Sequence, residues 1–213
     1  MLVLGAGGLA MQLLDTLVEL NLEENLVFFD DTKGSECRYL YDKFPVINSI
    51  DLANTHFKRD NRFILGTGNP KLRNMFYEKF TKNGGEPISI ISPSVTVSDF
   101  NVKIGIGVTI LRGCVIESGV SLGNGCLINL NCTICHGSTL GDYCEMGPGG
   151  MITGNVKIGE NTTIGSGAII LPNSVIGKNV IVASGALVRH DFPDNVMVAG
   201  VPAIIKKIFN SNN

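Results

Sequence analysis

Stepping six residues at a time from Ile104, the chain meets an aliphatic residue or methionine at every stop as far as Val188, through Ile110, Ile116, Leu122, Ile128 and Ile134. A helix repeats its apolar face near 3.6 residues and a half-buried strand at two, so a period of six selects neither. It selects a solenoid. Two residues before each stop lies a track of mostly small side chains, such as Val108, Cys114, Cys126, Cys132 and Ser138. Three residues after each stop lies a track rich in glycine and asparagine, such as Gly107, Gly113, Asn131, Gly137 and Asn155, with Tyr143 as an exception. Glycine and asparagine tolerate positive φ, so this track predicts a turn after every short strand. Three strands and three turns close a triangular coil of 18 residues, and glycine recurs at that spacing at 105, 123, 141, 159 and 177. Burial of each aliphatic contributes about 1.5–3 kcal/mol before chain entropy, enough to make this column the core of its domain.

Composition narrows the function classes. The 213 residues are 44% hydrophobic, which allows a proper core and one or two domains. The 17 basic and 19 acidic residues leave a net charge of -2, with no global field to draw in nucleic acid or an anionic membrane. The opening MLVLGAGGLAMQLL has no basic flank and runs into Asp15 and Glu19, unlike a signal peptide, and no apolar run nears the roughly 18 residues of a span. A cytoplasmic protein is expected. Of six cysteines, five fall at positions 114, 126, 132, 135 and 144. Only Cys132 and Cys135 share a C-x-x-C spacing, and a tetrahedral zinc would need two further ligands, so these cysteines are expected to be small core fillers with no metal.

The front of the chain follows a different pattern. Leu2 to Leu4 reads as a buried strand, then Gly5, Gly7 and Ala10 form G-x-G-x-x-A before an apolar-periodic helix, and a strand from Leu26 to Phe29 ends at Asp30 and Asp31. A glycine turn feeding a helix N-terminus offers backbone amides to a phosphate, although it also serves tight helix–strand packing. A third strand, Phe63 to Leu65, leads into Gly68 and Asn69, with Lys71 and Arg73 beyond. Some 90 residues accommodate one βαβαβ half of a Rossmann unit. The expected organisation is an α/β half-Rossmann domain over 1–90, a parallel β-helix over 91–190 and a tail over 191–213.

The repeat from Ser94 to Val188 and the tail VMVAGVPAIIKK, Val196 to Lys207, resemble the hexapeptide-repeat acyltransferases. With the front domain, the whole chain resembles the sialic acid O-acetyltransferases and the bacterial nucleotide-sugar N-acetyltransferases of bacillosamine, perosamine and viosamine synthesis. The resemblance implies a left-handed β-helix, a homotrimer, and acetyl-CoA bound between subunits as the acetyl donor. It implies that the front domain holds the nucleotide of a UDP- or dTDP-amino sugar, by position through Gly5, Gly7, Gly8, Asp30, Asp31, Gly68 and Asn69. Leu9 stands where the family usually carries a histidine. The glycines of EMGPGGMITGN, among them Gly149, Gly150 and Gly154, together with Gly167, would leave room for the pantetheine arm, and Lys178 is a candidate for the CoA phosphates, as are Arg189, Lys206 and Lys207.

His136, in NLNCTICHG, aligns with the family's catalytic histidine. It falls two residues past the inward Ile134 and before a turn, hence near a corner, with Ser118 one coil below and Gly154 one coil above. A neutral imidazole near pH 7 can take the proton of an attacking amine or hydroxyl. The family's acid after this histidine is replaced by Gly137; Glu145 and Glu117 are candidate replacements, and Asn129 aligns with a site-lining asparagine. His56 and His190 lie outside the coils and are read as solvated. Competing readings are a sialic acid O-acetyltransferase, a γ-class carbonic anhydrase, for which three zinc histidines are wanting, and a binding or assembly subunit lacking catalysis.

Overall fold

A computed structural model describes residues 1–32 and 39–209. The front unit runs β1 (Leu2–Leu4), α1 (Gly8–Glu19), β2 (Val27–Phe29), β3 (Tyr39–Leu40), β4 (Phe44–Ile47), α2 (Ile50–Phe57), β5 (Arg62–Leu65), α3 (Pro70–Lys82) and β6 (Glu86–Pro87). Its sheet order is β3-β4-β2-β1-β5-β6, parallel throughout except for the β3–β4 hairpin. The βαβαβ half is present but extended: β4 and its hairpin partner widen one side and β6 the other. Phe44–Ile47 carries a proline and no clean alternation, so its pairing with β2 was not legible in the sequence. α1 buries Ala10, Leu13, Leu14 and Leu17 against the sheet. α3 starts where Asn69 accepts a hydrogen bond from the Leu72 N–H, with Pro70 in the first turn and Lys79 and Lys82 in the last.

From Ile90 onward the chain winds as a left-handed β-helix of two-residue rungs on three faces. The first face holds Ile90–Ile91, Thr109–Ile110, Leu127–Ile128, Glu145–Met146, Thr163–Ile164 and Ile181–Val182, and continues into a closing hairpin, Val196–Gly200 with Ala203–Ile208. The second carries Val115–Ile116, Thr133–Ile134, Met151–Ile152, Ile169–Ile170 and Leu187–Val188 above Thr96–Val97. The third runs from Lys103–Ile104 to Val175–Ile176. Rungs pair in parallel with an 18-residue offset, as in Thr133 with Met151. Every aliphatic from Ile110 to Val188 on the period of six is buried in one continuous column. The turn track has positive φ throughout, Tyr143 (57°) included.

The small-residue track does more than fill space. Cys114, Cys126, Cys132 and Cys144 are buried free thiols, and each Sγ donates to the carbonyl fifteen residues on: Asn129 (2.9 Å), Gly141 (3.2 Å), Gly147 (3.2 Å) and Gly159 (3.1 Å). Ser138 Oγ and Thr162 Oγ1 do the same to Thr153 (2.7 Å) and Gly177 (2.9 Å). At each corner the strand ladder breaks, and these side chains give the corner carbonyl a donor, one that Gly147 O shares with the Gly150 N–H. Cys37 lies outside the described residues. Among the described residues no three His, Cys, Asp or Glu side chains are grouped as metal ligands, and no helix is long and apolar enough to cross a membrane.

The front unit is seated on the first face. Arg73 is fully buried at the seam; its Nε donates to Gly125 O (2.8 Å) and its terminal nitrogens to Leu65 O (3.0 Å), Thr67 O (2.7 Å) and Cys126 O (3.3 Å). Burial lowers its guanidinium to about 10, still cationic at neutral pH. Arg112 pairs with Asp15 (2.8 Å), Glu19 accepts from Ser92 Oγ (2.9 Å), and Tyr77 packs edge-on against Tyr143. This packing buries Thr109 and Leu127 on the first face.

Candidate active site

At the C-terminal ends of β1 and β5, where the sheet order reverses, a cleft of about 330 Å³ is bounded by Gly5 to Leu9, Phe29 to Thr32, Gly66 to Asn69, Leu72 and Phe76. Such a switch point is where doubly wound sheets bind ligands. The β1 and β5 loops touch: a Cβ on Gly5 (φ 120°) would lie 2.8 Å from Gly66 O. Above α1 the space is open, since Cβ atoms on Gly7 or Gly8 would meet nothing within 4 Å and no side chain caps the helix. The first-turn amides can therefore face a phosphate. Asp30 Oδ1 accepts from the Thr32 N–H (3.0 Å) and hydroxyl (2.6 Å), Asp31 lies 3.6 Å from Lys79, and Asn69 spends its side chain capping α3. All seven residues expected around the nucleotide border this one cleft. Arg73 does not: it is the clamp beneath it.

His136 stands at the corner between the second and third faces, its side chain 62% exposed. The backbone ladder fixes its column: Gly137 N donates to Ser118 O (3.0 Å) and Asn155 N to His136 O (2.8 Å). The ring lies over Gly154, so that a Cβ there would be 2.5 Å from Nε2. On the other side Glu117 Oε2 accepts from the His136 backbone N–H (2.8 Å) and faces Nδ1 at 3.3 Å. The His136 backbone hydrogen bond, then its ring, hold the Glu117 carboxyl below its ordinary value. Of the two candidate acids, Glu117 reaches the ring.

Glu145 does not, because it opens a rung of the first face. It is half-buried there against Gly68, whose added Cβ would lie 2.8 Å from Oε1, and burial raises its pKa with Arg73 opposing. Asn129 likewise faces the front unit, its Oδ1 accepting from Gln12 Nε2 (3.0 Å) and the Leu130 N–H (2.8 Å). Within one chain neither touches His136. Among the residues expected to hold CoA, Gly149 and Gly167 stack at the corner between the first and second faces with open space beside them. Gly150 is buried in the inward track, Gly154 lies beneath the imidazole, and Lys178 stands at the third corner, paired with Glu160 at 3.0 Å. The 18-residue phase explains this: residues near in sequence fall on different corners. His190 is exposed as expected, accepting from Arg189 Nε (3.1 Å), but His56 is half-buried and burial lowers its pKa.

The outward side of the second face is mostly apolar. Val115, Met151 and Ile169 are exposed there, with Thr133 in the same row, whereas the third face presents Lys103, Ser121, Thr139 and Lys157 before the exposed Val175. This stripe is flanked by the His136 corner on one edge and the Gly149–Gly167 corner on the other.

A nucleotide-type cleft seated on a hexapeptide prism that displays a carboxylate-paired imidazole defines a hexapeptide-class acyltransferase. Residues 1–80 match the PglD N-terminal domain model and residues 155–190 the bacterial transferase hexapeptide model of six repeats. The acetyltransferase domain of PglB from Neisseria gonorrhoeae, solved with acetyl coenzyme A, is 31% identical over 96% of this chain and 97% of its own, with a TM-score of 0.86. PerB from Caulobacter crescentus, solved with CoA and GDP-perosamine, is 28% identical over 97% and 96% of the two chains, with a TM-score of 0.88. WeeI from Acinetobacter baumannii, 24% identical over 96% and 98% with a TM-score of 0.81, shares the fold. No curated protein matches the sequence. The chain belongs to the hexapeptide-repeat nucleotide-amino-sugar acetyltransferases.

Proposed function

We propose that the protein transfers the acetyl group of acetyl-CoA to the amine of a nucleotide-linked amino sugar. The observation that carries this reading is the union, in one chain, of the switch-point cleft with an exposed imidazole whose Nδ1 faces a carboxylate. The cleft holds the nucleotide, with its phosphates on the first turn of α1. The neutral amine attacks the thioester carbonyl, His136 Nε2 takes the proton as the C–N bond forms, and the C–S bond then breaks to release CoA, the thiolate recovering a proton. The uridine and thymidine sugars expected from the sequence are joined by guanosine, the nucleotide of the sugar bound to PerB.

The working form is a homotrimer closed through the second faces. Its support is the apolar stripe of Val115, Met151 and Ile169, which would otherwise meet water. A rotationally closed contact of this kind sets one edge of each face against the opposite edge of the next. His136 of one protomer then borders the open Gly149–Gly167 corner of its neighbour, a groove fit for a pantetheine arm. Lys178, at the far corner, has no place in that groove.

The test is thiol release from acetyl-CoA in the presence of GDP-, UDP- and dTDP-linked 4-amino sugars, with the product identified by mass. Transfer to at least one is expected. Failure with all three, or transfer to a free sialic acid hydroxyl instead, would overturn the reading.

A further inference from the structure

We propose that Glu117 is the positioning residue of His136, supplying from the coil below the carboxylate that the family resemblance places at position 137. The proposal rests on the acetyl-transfer reading for its kinetic arm only. Position 137 is a glycine here: Gly137 has φ 67°, and a Cβ on it would meet Asn155 Oδ1, a side-chain end that would have to shift. The turn itself supplies no acid, and the neighbouring rung provides one in Glu117. Glu117 N donates to Ile134 O (2.9 Å), which locks residue 117 into the ladder beneath Cys135.

One oxygen, Oε2, serves both the His136 backbone N–H and Nδ1. Sharing a single acceptor ties the ring to its own backbone and favours the tautomer with the proton on Nδ1. The lone pair is then on Nε2, over the bare Cα of Gly154. The 3.3 Å separation is long for a hydrogen bond, as catalytic contacts often are before substrate tightens them. Once Nε2 has taken the amine proton, the imidazolium stands beside an ionised carboxylate and is stabilised by it. The other titratable group beside this carboxylate is Cys135, whose thiol is raised by burial and then by the Glu117 charge; it stays neutral and does not compete for the proton.

The test compares wild type with Glu117→Gln and Glu117→Asp. Glu117→Gln keeps an acceptor for the backbone N–H but loses the charge, so kcat should fall at least about tenfold, part of the roughly 10²–10⁴ that a positioned base supplies, with both KM values within about twofold. Glu117→Asp should retain more activity than Glu117→Gln. In ¹⁵N-histidine NMR of the full chain, His136 should report the Nδ1–H tautomer in wild type and a mixture in Glu117→Gln. An unchanged kcat in Glu117→Gln, or an unchanged tautomer, overturns the proposal. Should wild type acetylate no nucleotide sugar, the function reading fails, and the NMR arm still decides the role of Glu117.

Discussion

The imidazole of His136 packs against the bare backbone of Gly154: a Cβ on residue 154 would lie 2.5 Å from Nε2. Gly154→Ala should therefore swing the ring off its perch while leaving the coil folded. The expected result is a kcat loss of about tenfold or more with an unchanged circular dichroism spectrum, since misplacement by about 1 Å costs up to about 10²-fold. Full activity would show that the ring does not act from this position.

Removing the base is the direct counterpart. His136→Ala should lower kcat by about 10²–10⁴. Because the side chain is largely exposed, the melting temperature should move by no more than a degree or so. Stopped-time thiol assays beside differential scanning fluorimetry separate the two effects.

Arg73 is predicted to bear on stability rather than on substrate charge. Arg73→Leu removes four hydrogen bonds, those to the carbonyls of Leu65, Thr67, Gly125 and Cys126, of which Cys126 O keeps the Thr109 N–H. The cost should be about 3–5 kcal/mol in denaturant unfolding. A surviving variant should bind nucleotide sugar more weakly, because Leu65 and Thr67 adjoin the cleft. A loss of binding without a loss of stability would instead make Arg73 a ligand contact.

Glu145 carries a pH signature. Its folded pKa is raised above the unfolded value, so between the two values the folded state holds the extra proton and stability falls as pH rises through that window. Glu145→Gln should melt a degree or two higher than wild type at pH 7, and the two should converge near pH 4. If Glu145 were instead the catalytic partner of the ring, this variant would lose kcat as steeply as His136→Ala.

The apolar second face predicts an assembly defect. Met151→Lys with Ile169→Lys should convert trimers to monomers in analytical ultracentrifugation and abolish acetyl transfer while each chain keeps its fold. Active monomers would remove the neighbouring corner from the site.

The sequence by itself determined the prism. Side-chain size and the capacity for positive φ are local properties, and a period of six written over fifteen consecutive rungs leaves one way to bury the aliphatics and turn the corners. The glycine turn at Gly5 and Gly7 was legible for the same reason. The coil stacking was legible too, but which of the two candidate acids reaches the ring was decided only by tertiary structure: Glu117, in the rung beneath Cys135, turns its carboxylate to His136, whereas Glu145, nine residues past His136, opens a rung of another face. The donors hidden in the small-residue track, the burial of Arg73 and the pairing of Asn129 with Gln12 share that cause: each depends on a partner that sequence distance does not reveal, supplied by the stacking of rungs or by the seating of the front unit on them.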